Sequence, residues 1–254
     1  MVTDKIIMKV SVIVSVFNSE KTVSDAIDSI LSQSYSNIEC IVIDAESTDR
    51  TRSIIQDYGD KIDVFVTEPD NGIYDGLNKG ILLATGDIIA FLHSDDVYAD
   101  KAVVSDVVSL FGNDIQGVYG DLVYVDRVNT GKVFRYWRSG IFSTSLLNKG
   151  WMPPHPTLFL RSGIYQQYGI FDTSFKIAGD YDFMLRILKD DTTIQYLPKL
   201  LYKMRVGGES NRSIKNILYK TKEDLRAMRK NGIDKPFLAL FYKNISKLIQ
   251  LVKH

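Results

Sequence analysis

Cysteine is almost absent from this chain: Cys40 stands alone, so no disulfide can form within it. That excludes a cross-linked scaffold and leads us to expect a reducing, cytoplasmic setting. A surplus of charge is missing as well, with 31 Lys plus Arg against 31 Asp plus Glu. Binding along a nucleic-acid backbone requires a basic excess, so no nucleic-acid partner is expected. No apolar run approaches the ~20 residues of a membrane-spanning helix. The apolar stretch Ile6 to Phe17 is broken by Lys9, Ser11 and Ser15 in a strand-like pattern, which argues against a signal peptide. Glycine first appears at Gly59. Neither a Gly-x-Gly-x-x-Gly fingerprint nor a P-loop can therefore follow the first strand, and no glycine-rich backbone cradle is available there for phosphates.

What is present reads as an α/β chain. Its 254 residues are 45% hydrophobic and 24% charged, enough for one large domain with a sizeable core. Val10–Val16 is short and rich in β-branched residues, as a buried parallel strand is. Val23, Ala26, Ile27, Ile30 and Leu31 follow at helical spacing. The pattern repeats: strands at Ile38–Ile43, Val64–Val66 and Ile88–Leu92, with helices after Asp49 and from Ile73. Strands alternating with helices predict a parallel sheet covered on both faces. Beyond residue 100 the spacing predicts strands at Val118–Tyr124 and Lys132–Tyr136 around an Asn129-Thr130-Gly131 turn. It predicts helices at Arg161–Tyr168 and Tyr181–Leu188, and two short strands at Ile194–Leu197 and Leu201–Met204. Helices at Ile214–Arg229 and from Pro236 complete the chain.

Open parallel sheets bind ligands at the carboxyl ends of their strands. Here those ends read Phe17-Asn18, Asp44 and His93-Ser94-Asp95-Asp96. Acids meeting at one edge suit a hard divalent cation, and that cation suits a diphosphate.

The same segments resemble glycosyltransferase family 2, whose members share the GT-A fold. Val10-Ser-Val-Ile-Val-Ser-Val-Phe-Asn18 is similar to the family's opening strand and nucleotide loop. Val42-Ile-Asp-Ala-Glu-Ser-Thr-Asp-Arg-Thr51 is similar to its second motif. Asp70-Asn-Gly-Ile-Tyr-Asp-Gly-Leu-Asn-Lys-Gly80 resembles the segment lining the donor site. Ala84 to Asp96 resembles the stretch that ends in Asp-x-Asp, and Gly179-Asp-Tyr-Asp182 falls where the family keeps its base.

The resemblance implies an α/β fold of GT-A type: a Rossmann-like, mostly parallel central sheet flanked by helices, with a C-terminal helical appendage. Residues 1–212 would form the catalytic domain, with 9–98 the nucleotide-sugar half and 99–212 the acceptor half. Residues 213–254 would be amphipathic helices. It implies an inverting displacement with Asp180 as the base and a divalent cation, Mn²⁺ or Mg²⁺, on Asp95. Donor contacts are implied at Phe17, Asn18, Asp44 (on the nucleobase), Asn71, Asp75, Asn78, Ser94, Asp95 and Arg205. Acceptor contacts are implied at Asp96, Trp151 and His155.

The chain departs from the family in places. His93 replaces the first acid of Asp-x-Asp, Gly179 stands where many members have Glu, and Leu77 sits where Arg is frequent. The Gln-x-x-Arg-Trp motif of processive synthases is absent, and Arg205-Val-Gly-Gly-Glu-Ser210 resembles a loop of non-processive members, so one sugar per encounter is expected.

Several residues keep a second reading. Asp44 and Asp180 are also suited to capping helices. His155 in Met152-Pro-Pro-His-Pro156 fits a rigid structural loop as well as an acceptor-side or metal-side role, and Trp151 fits core as well as acceptor stacking. Tyr74 and Asp75 fit a donor site or a helix start. In the last helix Leu238, Phe241, Ile245, Leu248 and Val252 share one face, while Lys243, Lys247, Gln250 and Lys253 lie elsewhere. From Lys235 onward there are four lysines and no acid. Such a helix packs on the domain with solvated lysines, or lies on an anionic membrane surface. The favoured expectation is a UDP-hexose donor and a lipid-linked glycan acceptor of bacterial O-antigen or capsule synthesis, at the inner face of the cytoplasmic membrane. A sugar nucleotidyltransferase and a non-catalytic sugar-nucleotide or glycan-binding protein are the alternatives.

Overall fold

Alternation of apolar side chains builds two cores, one on each face of the sheet. Val10, Val12, Val14 and Val16 point to one face with Cys40, Val42, Ala90 and Leu92, and pack on Val23, Ile27, Ile55 and Val104. Ile13 points to the other with Ile41, Ile43 and Phe91, and packs on Leu77, Ile81 and Phe183. This is the period-two signature of a strand buried on both faces. The structure is a computed structural model describing residues 7–190, 192–207 and 214–252, with side chains described for all of these except 214–215 and 246–252.

The first half runs β1 (Val10–Val16), α1 (Val23–Leu31), β2 (Ile38–Asp44), α2 (Thr51–Gln56), β3 (Val64–Thr67), α3 (Ile73–Leu83) and β4 (Ile88–His93). It continues with β5 (Val97–Tyr98), α4 (Val103–Ser109), β6 (Gly117–Val125), β7 (Val133–Trp137), β8 (Phe159–Arg161) and α5 (Ser162–Tyr168). The chain then forms α6 (Gly179–Leu188), β9 (Ile194–Arg205), α7 (Ile214–Lys230) and α8 (Pro236–Val252). Among the described residues nine strands form one sheet, in the order β3-β2-β1-β4-β8-β6-β9-β5, with β7 paired to β6. β3, β2, β1 and β4 are parallel. β8 runs antiparallel to both β4 and β6, and β9 runs parallel to β6. The carboxyl ends of β1, β2, β4, β6 and β9 therefore share one edge. Gly80 lets α3 lie close on β1: a Cβ there would sit 2.3 Å from Ile13 Cγ2.

The second half differs from the reading in three ways. Ile194–Leu197 and Leu201–Met204 are one strand, Ile194–Arg205. Its register against β6 jumps from Tyr119↔Tyr196 to Asp121↔Leu200, so the segment around Pro198 bulges out instead of ending the strand. Proline cannot donate to a ladder, and a bulge accommodates it. The helix expected from Arg161 starts at Ser162, because Arg161 closes β8 and pairs with Ile88. Third, the C-terminal helices share the main core: Ala227, Met228 and Ala239 belong to the same cluster as Phe183 and Ile187. Lys243, expected in solvent, is 4% exposed, lies 2.9 Å from Asp224 and sits over the Tyr181 ring. The side chains of Leu248, Val252, Lys247 and Gln250, together with Lys253 and Gly208–Ser210, lie outside the described residues.

Candidate active site

The loops at the shared edge are tied to one another. Asp44 ends β2 fully buried and receives Ser47 Oγ–H at 2.5 Å, Ser47 N–H at 3.1 Å and Thr67 Oγ1–H at 2.8 Å. Ser47 Oγ in turn accepts Asn18 N–H at 2.8 Å, and Asn18 Oδ1 accepts Thr48 N–H at 2.9 Å. Asn18 and Glu46 both adopt left-handed backbone, φ +46° and +53°. Strain of that kind persists where surrounding contacts impose it, and it clusters at functional loops. Phe17 is exposed beside this turn. Ser19 Oγ meets Ser94 Oγ at 2.8 Å, joining the β1 loop to the β4 loop.

The acid turn after β4 is braced by β9. Asp96 is buried, and its Oδ1 accepts Arg205 N–H at 2.8 Å. The Arg205 guanidinium donates to Asp95 O at 2.7 Å and Arg127 O at 2.9 Å, and pairs with Asp25. Tyr202 Oη accepts His93 N–H at 2.8 Å. Burial, together with the neighbouring charge of Asp95, pushes the Asp96 carboxyl well above the usual carboxylate range, against the pull of Arg205 and Tyr202. The Asp95 carboxylate itself takes no hydrogen bond among the described residues.

Asp180 stands at the start of α6 and faces this turn electrostatically. Burial lowers His93 below the usual histidine range, opposed by the charges of Asp95 and Asp180. Burial also lowers His155 to about 4, with Asp180 opposing and His93 adding. The two imidazoles lie 6.5 Å apart, and His155 packs against Phe91 and Phe171. Its Nε2 is buried without a partner among the described residues. Buried groups shifted in this way and gathered at one sheet edge mark a candidate functional site.

Other expected contacts have different surroundings. The Asn78 amide is committed to Phe171, donating to its carbonyl and accepting its N–H, both at 2.9 Å. It ties α3 to the chain ahead of α6. Asp75 accepts Asn71 N–H at 3.0 Å, and the two line a cavity of about 200 Å³ with Tyr74, Thr173, Phe175 and Lys176. None of the strand-end acids lines that cavity. Trp151 is half-buried, stacked on Phe142 at 5.3 Å, with its indole N–H given to Ser139 O at 3.3 Å.

Sequence patterns gave no signal for Tyr202, Asp25 or Glu223, because each acts on residues distant in the chain. Glu223 of α7 is the most consequential. Its carboxylate receives the N–H groups of Lys176, Ile177 and Ala178 at 2.8, 2.8 and 2.9 Å, holding the turn that delivers Asp180.

Among the described residues no three of His, Cys, Asp or Glu converge to hold a metal ion unaided, and no helix is long and apolar enough to cross a membrane. A site with one unspent carboxylate, Asp95, still fits a cation whose remaining ligands come from a diphosphate.

The sheet order and strand-end acids have counterparts in known proteins. The structure is similar to Staphylococcus aureus TarS 1–349 in complex with UDP-GlcNAc, with a TM-score of 0.69 at 21% identity over 88% of this chain and 65% of that one. It is similar to the mannosyltransferase PcManGT from Pyrobaculum calidifontis in complex with GDP-Man and Mn²⁺, TM-score 0.68 at 16% identity over 97% of this chain and 76% of that one. The fold is therefore GT-A. By sequence the chain is 30% identical to an uncharacterized glycosyltransferase of Rickettsia typhi over 204 residues, which is 78% of this chain and 64% of the relative. It is 27% identical to a PGL/p-HBAD biosynthesis glycosyltransferase of Mycobacterium bovis, over 79% of this chain and 78% of the relative. The family model for glycosyl transferase family 2 matches residues 11–176, and the chain belongs to that family.

Proposed function

We propose that the chain transfers a single hexose from a UDP-sugar, with inversion, to a polyprenyl-diphosphate-linked glycan of bacterial surface polysaccharide, O-antigen or capsule. The observation that carries the transfer chemistry is the run of contacts from Asp180 to the β4 turn: Tyr74 Oη on Asp180 Oδ1 at 3.2 Å, Tyr74 on Phe171, Phe171 on His155, and His155 6.5 Å from His93. Asp44 and the Asn18–Thr48 loop form the nucleotide end of the crevice. Asp95 offers its carboxylate to a divalent cation, Mn²⁺ or Mg²⁺, which when bound offsets charge on the departing diphosphate. Arg205 holds that turn rigid. Asp180 takes the proton of the acceptor hydroxyl as its oxygen attacks the anomeric carbon and the bond to the diphosphate breaks. One displacement inverts the centre. His155, whose Nε2 is buried without a partner among the described residues, and Trp151, half-buried against Phe142, are assigned to the acceptor side. Neighbours of this fold bind UDP-GlcNAc and GDP-Man, which supports a nucleotide-sugar donor.

Thermal denaturation with UDP, GDP, dTDP and CMP, each with and without Mn²⁺, tests the donor. A ligand at ~100 times its Kd stabilises the native state by ~2.7 kcal/mol. The expected result is a rise in Tm with UDP that requires the metal. A rise with GDP alone would change the donor, and no rise with any nucleotide would remove the donor site.

The acceptor reading is supported by α8, whose Phe237 and Phe241 are 65% and 57% exposed, with Leu238 and Tyr242 also exposed. Arg229 lies over the Phe237 ring and Lys235 directly precedes the helix, which suits an anionic lipid surface. Deleting α8 would also remove the buried Lys243, so point changes are the cleaner test. Phe237→Glu with Phe241→Glu is expected to lower sedimentation with phosphatidylglycerol vesicles at least ~10-fold, because each change removes buried apolar area and adds repulsion. Unchanged sedimentation would refute the membrane face.

A further inference from the structure

The two oxygens of Asp180 have different surroundings. Oδ1 accepts Tyr181 N–H at 2.8 Å and Tyr74 Oη–H at 3.2 Å. Oδ2 takes no hydrogen bond among the described residues. Two donors meeting on one oxygen fix the plane of the carboxylate and aim the other oxygen away from them.

Tyr74 reaches this point from the first turn of α3, and its ring is only 6% exposed. The hydroxyl carries one hydrogen, which Asp180 Oδ1 shares with Ile177 O at 2.7 Å, so one phenol spans the base and the turn leading into it. The ring also accounts for Gly179. A Cβ at that position would fall 2.8–3.0 Å from Cε2, Cδ2 and Cζ of Tyr74. Tyrosine at 74 and glycine at 179 thus occupy one shared space, which explains why no larger side chain stands beside the base. Burial, with the adjacent charge of Asp180, pushes the Tyr74 phenol well above its usual range, so it remains a donor across the working pH.

We infer that Tyr74 is the positioning residue of the base, holding Oδ1 of Asp180 so that Oδ2 is the atom that accepts the proton. The inference rests on the reading of Asp180 as base. The titratable groups facing Asp180 are Tyr74 from α3, His93 from the end of β4 and His155 from the turn before β8. Only the first is altered by Tyr74→Phe.

The test is UDP release with Mn²⁺ and a polyprenyl-diphosphate-linked sugar as acceptor, using whichever of UDP-glucose, UDP-galactose and UDP-N-acetylglucosamine turns over fastest, followed against pH. Tyr74→Phe is expected to lower kcat about 10- to 100-fold with donor KM within about twofold, since misplacing a reacting group by ~1 Å costs on that order. A fall in kcat at unchanged donor KM is the readout that marks loss of transition-state positioning rather than loss of binding. Gly179→Ala, which removes no hydrogen-bonding group, should reproduce the fall in kcat by displacing the ring. Asp180→Asn is run beside them. If Asp180→Asn is inactive while Tyr74→Phe keeps the wild-type rate and profile, the positioning role is overturned and the base reading stands. If Asp180→Asn turns over at the wild-type rate, the base reading fails and this inference fails with it.

Discussion

Replacing Asp180 by Asn is expected to lower kcat by about 10²- to 10⁴-fold, the range a positioned general base supplies. The substitution suits the question because it keeps the shape. The amide oxygen can still accept Tyr181 N–H and Tyr74 Oη–H, so the start of α6 should stay in place. What is lost is a group able to hold the proton that leaves the acceptor hydroxyl. Donor binding should survive, because Asp44 ends β2, Asn18 and Asp95 lie in the loops after β1 and β4, and none of them bonds to that carboxylate. The Mn²⁺-dependent rise in Tm with UDP should therefore match that of the wild type, and donor KM should stay within about twofold, as expected when only transition-state stabilisation is removed. A variant retaining more than about a third of wild-type kcat would contradict the assignment, since so small a loss lies well below the range for a general base. Loss of the UDP-induced rise together with kcat would instead show that Asp180 helps build the donor site.

The parts of this site that were legible in the sequence are those carried by short-range pattern. Val10–Val16, Ile38–Asp44 and Ile88–His93 are short, nearly continuous apolar runs because both faces of each strand are buried, and the end of each strand then falls at the ligand edge. That rule points to Asp44 and Asp95 as candidates, whereas Asp180, at the start of α6, was suggested by the family resemblance alone. Contacts that depend on distant segments were not legible. Arg205, expected at the diphosphate, spends its guanidinium on Asp25, Asp95 O and Arg127 O, partners brought together only when β9 lies beside β6. The Asn78 amide is likewise committed across 93 residues to Phe171. β5 and β8 are two and three residues long, too short for any periodicity to announce them. Lys243 looked like a solvent lysine because its helix is amphipathic by spacing, yet its partner Asp224 lies on a different helix.

The same helix pair carries the second large effect. Glu223→Ala is expected to cost roughly 3 kcal/mol or more of stability, since hydrogen bonds to a charged group contribute about 1.5–3 kcal/mol each and buried donors left without partners are penalised in full. Glu223 is 5% exposed and accepts three successive backbone N–H groups, those of Lys176, Ile177 and Ala178. These donors precede the first turn of α6, where a negative charge also complements the helix dipole. Glu223→Gln probes the charge alone: its amide nitrogen would face one or two N–H groups, donor against donor, so it should lose most of the same stabilisation despite its matching size. Both variants release the turn that delivers Asp180. Measured well below their melting temperatures, they should show kcat reduced by about 10²-fold, the cost of a reacting group displaced by ~1 Å. Urea denaturation with a steady-state rate on the same sample separates the two effects. If Glu223→Gln unfolds at the wild-type midpoint and turns over at the wild-type rate, α7 contributes nothing to the placement of the base. If both fall, α7 holds the base in place, and the buried Lys243–Asp224 pair is what packs α8 against that helix.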